Sequence, residues 1–231
     1  MIFALDTSGA YCVLALAEED GAVRAACVFE GRRTLSRRLM GEMDGLLTRS
    51  GLTLADVRAY AVGLGPGSFT GVRVGVTTAK MLALVTEKPL VGVGTLDAYA
   101  AAWQGVGRET SVVPVLPSRK GEVYAAVYRG GELREGPFAE SVEAIEKRLQ
   151  SLDRAILCGD VGLIGGWTGP ALAQPWTPPE GLARLAARRL GAGDTDDPLG
   201  LVPLYVVAPS ISTPKALAIR PLTGVGTGTA Q

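Results

Sequence analysis

Residues 58–86 constrain this chain more than any other stretch. The apolar strand RAYAVG (58–63) runs into Gly65-Pro66-Gly67-Ser68-Phe69-Thr70-Gly71 and then into an apolar helix over about 69–86. Gly65-Pro66-Gly67-Ser68 has the chemistry of a type II turn. Pro66 sets φ at the second position, Gly67 supplies positive φ at the third, and Ser68 stands where it can cap the helix. Such a strand, turn and helix start presents backbone N–H groups that a phosphate, a carboxylate or a partner surface can accept. The stretch is neither a P-loop nor G-x-G-x-x-G, because Thr70-Gly71-Val72 stands where Gly-Lys-Ser/Thr is required and Thr70 takes the last glycine position. A purely structural turn is the plainer reading, and a phosphate cradle is the alternative.

Apolar alternation and turn residues place strands at 2–5, 11–17 and 22–29, a helix at about 34–49, strand 58–63, helix 69–86, strand 90–93 and a helix from Thr95 to about 104. The order recurs in strands 111–116, 122–128 and 132–139, a helix at 141–150 capped by Ser141, strand 154–158, helix 179–190 and strand 201–206. The expected fold is therefore α/β, with two duplicated βββαβα lobes. An N-terminal lobe is expected over 1–105, a reduced C-terminal lobe over 106–208, and a mobile Gly/Thr-rich tail over 209–231.

Composition narrows the chemistry. The chain has 231 residues, 47% of them hydrophobic, and Lys+Arg balance Asp+Glu at 23 each. Such neutrality argues against a main role in gripping nucleic-acid backbone. Histidine is absent from the sequence, so an imidazole base, a Ser-His-Asp or Cys-His pair and a His-based metal site are all unavailable. Cys12, Cys27 and Cys158 lack C-x-x-C spacing and read as small buried hydrophobes of a reducing compartment. Asp6 interrupts the first apolar run, no basic segment precedes it, and no run reaches the roughly 20 apolar residues of a membrane span, so a cytoplasmic protein is expected.

The duplicated order, with an Asp closing the first strand and Thr-Ser-Gly before the second, resembles the actin, sugar kinase and Hsp70-like ATPase superfamily. There the first hairpin contacts phosphate and a carboxylate helps to hold Mg²⁺. Within that group LDTSGAYCVLAL (5–16) and GLGPGSFTGVRVG (63–75), followed by SRKGEVYAAVY (118–128), ILCGD (156–160) and VPLYV (202–206), resemble the TsaB/YeaZ family of bacterial tRNA threonylcarbamoyladenosine biosynthesis proteins. The resemblance implies a non-catalytic subunit for modification of tRNA position 37. It implies a homodimer when alone, a heterodimer with the homologous catalytic subunit TsaD, the P-loop ATPase TsaE as a further partner, contact with tRNA only through the complex, and no membrane association. No cofactor of its own and no metal are implied, with ATP or ADP at the complex junction. Three places depart from the family pattern. Leu35-Ser36 stands for His-Ser, Pro117-Ser118-Arg119 for Asp-Ala-Arg, and Tyr205-Val206-Val207 for Tyr-Leu-Arg.

Two residue sets are candidates. Asp6, Thr7, Ser8, Gly65, Gly67 and Ser68 form either a vestigial phosphate-binding corner or a self-sufficient turn. On helix 69–86, Val72, Val76, Ala79 and Ala83 make one stripe at about 100° per residue, while Val74, Met81 and Val85 lie nearly opposite. That first stripe, with Leu35, Leu39, Met43, Leu46 and Leu47 of helix 34–49, is the expected partner interface. No catalytic residue is assigned. A small ATP-dependent kinase or peptidase-like hydrolase using Asp6 and the 65–71 loop is the rival reading.

Overall fold

The computed structural model describes residues 1–31, 34–103 and 105–207. The tail expected over 209–231 lies outside them. Strand β1 (Ile2–Asp6) pairs antiparallel with β2 (Tyr11–Ala17) and parallel with β4 (Ala59–Gly63). With β3 (Val23–Glu30) and β5 (Leu90–Val93) at the edges, the sheet order is β3-β2-β1-β4-β5. Alternation divides these strands between two cores. Phe3, Leu5, Leu14 and Leu16 pack with α1 (Leu35–Arg49) and α2 (Phe69–Thr86). Ile2, Ala4, Ala15 and Ala17 belong to the opposite face.

A second sheet repeats this plan in the order β10-β9-β6-β7-β8. It is built from β6 (Ser111–Pro117), β7 (Glu122–Arg129), β8 (Glu132–Ser141), β9 (Ala155–Gly159) and β10 (Ala171–Ala173), with α4 (Val142–Gln150) on one face. Each antiparallel hairpin thus sits beside a parallel strand in both sheets, which establishes the duplicated α/β fold. The repeat is longer than the expected βββαβα, because β10 matches β5 and the counterpart of α2 is reduced to a 3-10 turn at Val161–Leu163.

The last helix of each repeat crosses to the other sheet. Leu182, Ala183, Ala186 and Ala187 of α5 (Pro179–Gly191) pack on the alanine face of the first sheet. Leu96, Tyr99 and Ala100 of α3 (Thr95–Ala102) pack against Val112, Leu116, Ala126 and Tyr128 of the second. The small residues let α5 approach closely, and a Cβ placed on Gly181 would lie 1.8 Å from the Ala98 carbonyl oxygen. Helix 179–190 was expected within a 106–208 lobe, yet it completes the core of the first sheet.

Two further expectations are corrected. Residues 201–206 form no strand; Pro203 has no N–H to donate to a ladder. The segment instead straps α2, where Lys80 Nζ donates to the Leu199 and Leu201 carbonyls at 3.1 and 2.8 Å and Leu204 N donates to Leu64 O at 2.8 Å. In the glycine turn, Gly65 carries the positive φ (+91°), not Gly67. Ser68 does cap α2, its hydroxyl accepting from Gly71 N at 3.3 Å.

Candidate functional site

The six residues of the expected phosphate corner meet, but they meet one another. The chain turns sharply after β1, and the buried Asp6 (1% exposed) accepts Ser8 N–H on Oδ1 at 2.7 Å. Its Oδ2 accepts the hydroxyls of Thr95, at the start of α3, and Thr177, just before α5, at 2.8 and 3.0 Å. Thr95 Oγ1 also accepts Gly65 N–H at 3.1 Å, and Thr7 Oγ1 donates to Gly71 O at 2.7 Å. Ser68 N donates to Ser8 O at 2.6 Å, and a Cβ on Gly67 would stand 2.4 Å from that same oxygen. Burial, with the Asp6 charge adding to it, pushes the Cys12 thiol up to about 12 and raises the Tyr99 phenol as well.

The Mg²⁺ that the superfamily places beside such a carboxylate does not fit Asp6, whose oxygens are taken up by donors of the protein itself. The hairpin turn and the 65–71 loop are in direct contact through Ser68 N and Ser8 O, and the Asp6 carboxylate is already met by three donors. Among the described residues no three His, Cys, Asp or Glu side chains are grouped to hold a metal ion. The corner is a hydrogen-bonded junction where β1, the glycine loop, α3 and the entry to α5 are joined. Thr95 and Thr177 escaped the sequence reading, since nothing local marks a threonine that will reach a carboxylate 89 or 171 residues away.

A cleft of about 740 Å³ opens between the two sheets beside this junction. Tyr11 and Trp176 meet edge to face with centroids 5.9 Å apart, and Phe69 and Tyr205 meet at 5.3 Å. The Arg73 guanidinium lies 3.7 Å above the Phe69 ring, and its Nε donates to Tyr205 Oη at 2.9 Å. Tyr124, Ser118 and Asp160 line the cleft from the second sheet. All three places that depart from the family pattern, Leu35, Pro117 and Val207, border it too.

The expected partner interface is corrected by burial. Leu39, Met43, Leu46 and Leu47 of α1 and Val72, Val76, Ala79 and Ala83 of α2 form the first core with the sheet, and Leu35 packs partly buried against them. Those two stripes face the same sheet and are consumed by it. The opposite side of α2 is open: Met81 is 55% and Val85 76% exposed, with Leu84 and, on α1, Met40 also exposed. On the strap, Leu199 and Val202 are exposed as well.

Two matched sheets, helices exchanged between them, and a hydroxyl-lined turn at the first hairpin define a member of the actin, sugar kinase and Hsp70-like ATPase superfamily. The structure of EutJ from Carboxydothermus hydrogenoformans shares that fold, with a TM-score of 0.51 at 12% identity over 79% of this chain and 88% of its own. A family model described as "TsaD: tRNA N6-adenosine threonylcarbamoyltransferase" matches residues 30–158, and within this group the chain belongs to the TsaB/YeaZ family of tRNA threonylcarbamoyladenosine biosynthesis proteins. The Escherichia coli (strain K12) protein TsaB is 41% identical over 158 residues, covering 65% of this chain and 67% of that protein. YeaZ from Pseudomonas aeruginosa superposes with a TM-score of 0.72 at 26% identity, over 88% of this chain and 98% of that one.

Proposed function

We propose that this chain is a non-catalytic subunit in the synthesis of tRNA threonylcarbamoyladenosine. It binds a homologous threonylcarbamoyltransferase subunit through the outer face of α2. The observation that carries this reading is the exposed apolar ridge of Met81, Leu84 and Val85 on α2, with Met40 of α1 and Leu199 and Val202 of the strap exposed as well. Large exposed apolar side chains gathered on one element mark interaction surfaces in soluble proteins. Asp6 and the 65–71 loop, the groups on which the kinase or hydrolase alternative depends, are each engaged by neighbouring residues, Asp6 by Ser8, Thr95 and Thr177 and the loop by Thr7, Ser8 and Thr95, which favours a structural role over a catalytic one. The same ridge pairs two copies when the chain is alone. The P-loop ATPase TsaE, tRNA held through the complex, ATP or ADP at the subunit junction and a cytoplasmic setting complete the reading.

Val85→Glu places a charge on the ridge and is expected to leave the melting temperature near that of the parent chain. It should lower affinity for the purified transferase TsaD by about a hundredfold or more, the cost of burying an unpaired carboxylate in an interface. Val76→Glu, 3% exposed in the core, should instead unfold the chain. If Val85→Glu binds the transferase normally in a pull-down and by sedimentation, the ridge is not the contact.

A further inference from the structure

The carboxyl ends of β6, β9 and β10 meet at one wall of the cleft. Asp160 N donates to Val115 O and Gln174 N to Gly159 O, each at 2.9 Å, so Ser118, Asp160 and Trp176 follow three neighbouring strand ends. Parallel strands carry their ligands at such ends. Tyr11 comes from the first sheet to meet Trp176 edge to face, with centroids 5.9 Å apart. An edge-to-face pair covers one ring face and leaves the others open to a ligand. The volume of about 740 Å³ lies within the roughly 300–1,000 Å³ of small-molecule sites.

Two polar groups at this wall lack partners. Ser118 Oγ is buried with no hydrogen-bond partner, and among the described residues no hydrogen bond or ion pair to the half-buried Asp160 carboxylate is found. A carboxylate drawn out of bulk water is costly until a cation or donor pairs with it. Aromatic faces attract the same kind of guest, because the ring quadrupole is negative above and below the plane. One ring of the lining is already used so, with the Arg73 guanidinium 3.7 Å above Phe69. Over Tyr11 and Trp176 no Lys or Arg of the described residues stands, and Arg119, which also lines the cleft, has a contact of its own. A bare metal ion is a poor guest, since Asp160 belongs to no group of three ligating side chains among the described residues. An ammonium head brings three N–H donors and no acceptor, which suits a carboxylate beside a hydroxyl. Its methylene stem finds Leu35, Leu116 and Val207 in the same lining.

We propose that the wall formed by Asp160, Ser118, Trp176 and Tyr11 binds a primary alkylammonium, the head of a free diamine or of a lysine side chain. The ammonium donates to the Asp160 carboxylate and to Ser118 Oγ and stands against an open ring face of the Tyr11 and Trp176 pair. This site is separate from the α2 ridge and does not rest on the partner reading. Isothermal titration of the full chain at constant ionic strength with putrescine, with Nα-acetyl-lysine N-methylamide and with butanediol tests it. Putrescine should bind saturably, whereas butanediol, of the same length but without charge, should not. Asp160→Asn and Trp176→Leu should each weaken putrescine by about tenfold with circular dichroism unchanged. Asp153→Asn, which alters an exposed carboxylate outside the cleft, should retain the parental affinity. Putrescine binding more tightly than the lysine amide assigns the site to a free diamine, and equal or weaker binding assigns it to a lysine side chain. The proposal is overturned if neither ammonium compound saturates below about 10 mM, or if butanediol matches putrescine. Parental affinity in either cleft variant that folds, or an equal loss in Asp153→Asn, also overturns it; should Asp160→Asn fail to fold, Trp176→Leu decides.

Discussion

Replacing Asp6 separates a structural junction from a remnant of chemistry. In Asp6→Ala the Ser8 N–H and the Thr95 and Thr177 hydroxyls lose their common acceptor, bonds of 2.7, 2.8 and 3.0 Å in a site 1% exposed. Hydrogen bonds to a charged group are worth about 1.5–3 kcal/mol each, and removing a buried carboxylate returns part of that as relieved desolvation, for a net loss on the order of 4 kcal/mol. For a chain of this length the melting temperature should fall by about 8–16 °C. Asp6→Asn keeps the bond from Ser8 and offers an amide N–H₂ to the two threonines, so it should cost about 1–2 kcal/mol. Calorimetry and urea unfolding of the full chain measure both, and Thr177→Val combined with Asp6→Ala should show a non-additive cost because the two share one bond. A carboxylate kept for phosphate or metal binding typically leaves stability unchanged or improved when it is removed. Asp6→Ala melting within about 2 °C of the parent would refute the junction.

Other tests follow from packing and titration. Gly67→Ala puts a Cβ 2.4 Å from the Ser8 carbonyl oxygen, so it should destabilise by about 1–3 kcal/mol, whereas Gly41→Ala in α1, which meets nothing within 4 Å, should stabilise by about 0.5–1 kcal/mol; urea midpoints in the same order for both would contradict this. Burial holds the Cys12 and Cys158 thiols up at about 12 against an ordinary 9.0, so above pH 9 the unfolded chain releases protons that the folded chain retains. The stability these thiols contribute is intact below pH 9 and is lost as pH rises toward 12, by about 1.4 kcal/mol per pH unit for each fully shifted thiol. Melting temperatures should therefore decline steeply above pH 9, and less steeply in Cys158→Ala; a flat profile to pH 11 would count against buried neutral thiols.

Local rules made much of this molecule readable. The alternation in IFALD and YCVLALA, the caps at Ser68 and Ser141 and the helical spacing of α1 and α2 act within a few residues, so those elements lie where the sequence puts them. The absence of histidine likewise restricts the chemistry without any coordinates. Other features depended on residues brought together from afar. Both stripes of α2 are equally apolar in the sequence, and only the position of the sheet decides that Val76 is core and Val85 is surface. The exchange of α3 and α5 and the reduction of one helix to a turn are properties of how two sheets oppose each other, which no periodicity records. Pro66 and Gly67 point to Gly67 as the left-handed residue, yet the close approach of Ser8 makes Gly67 a matter of space, and Gly65 carries the positive φ. Asp6 was visible as a polar residue ending a strand, but its role rests on Thr95 and Thr177, and that depends on tertiary structure because hydrogen bonds act over about 3 Å in space, whatever the separation along the chain.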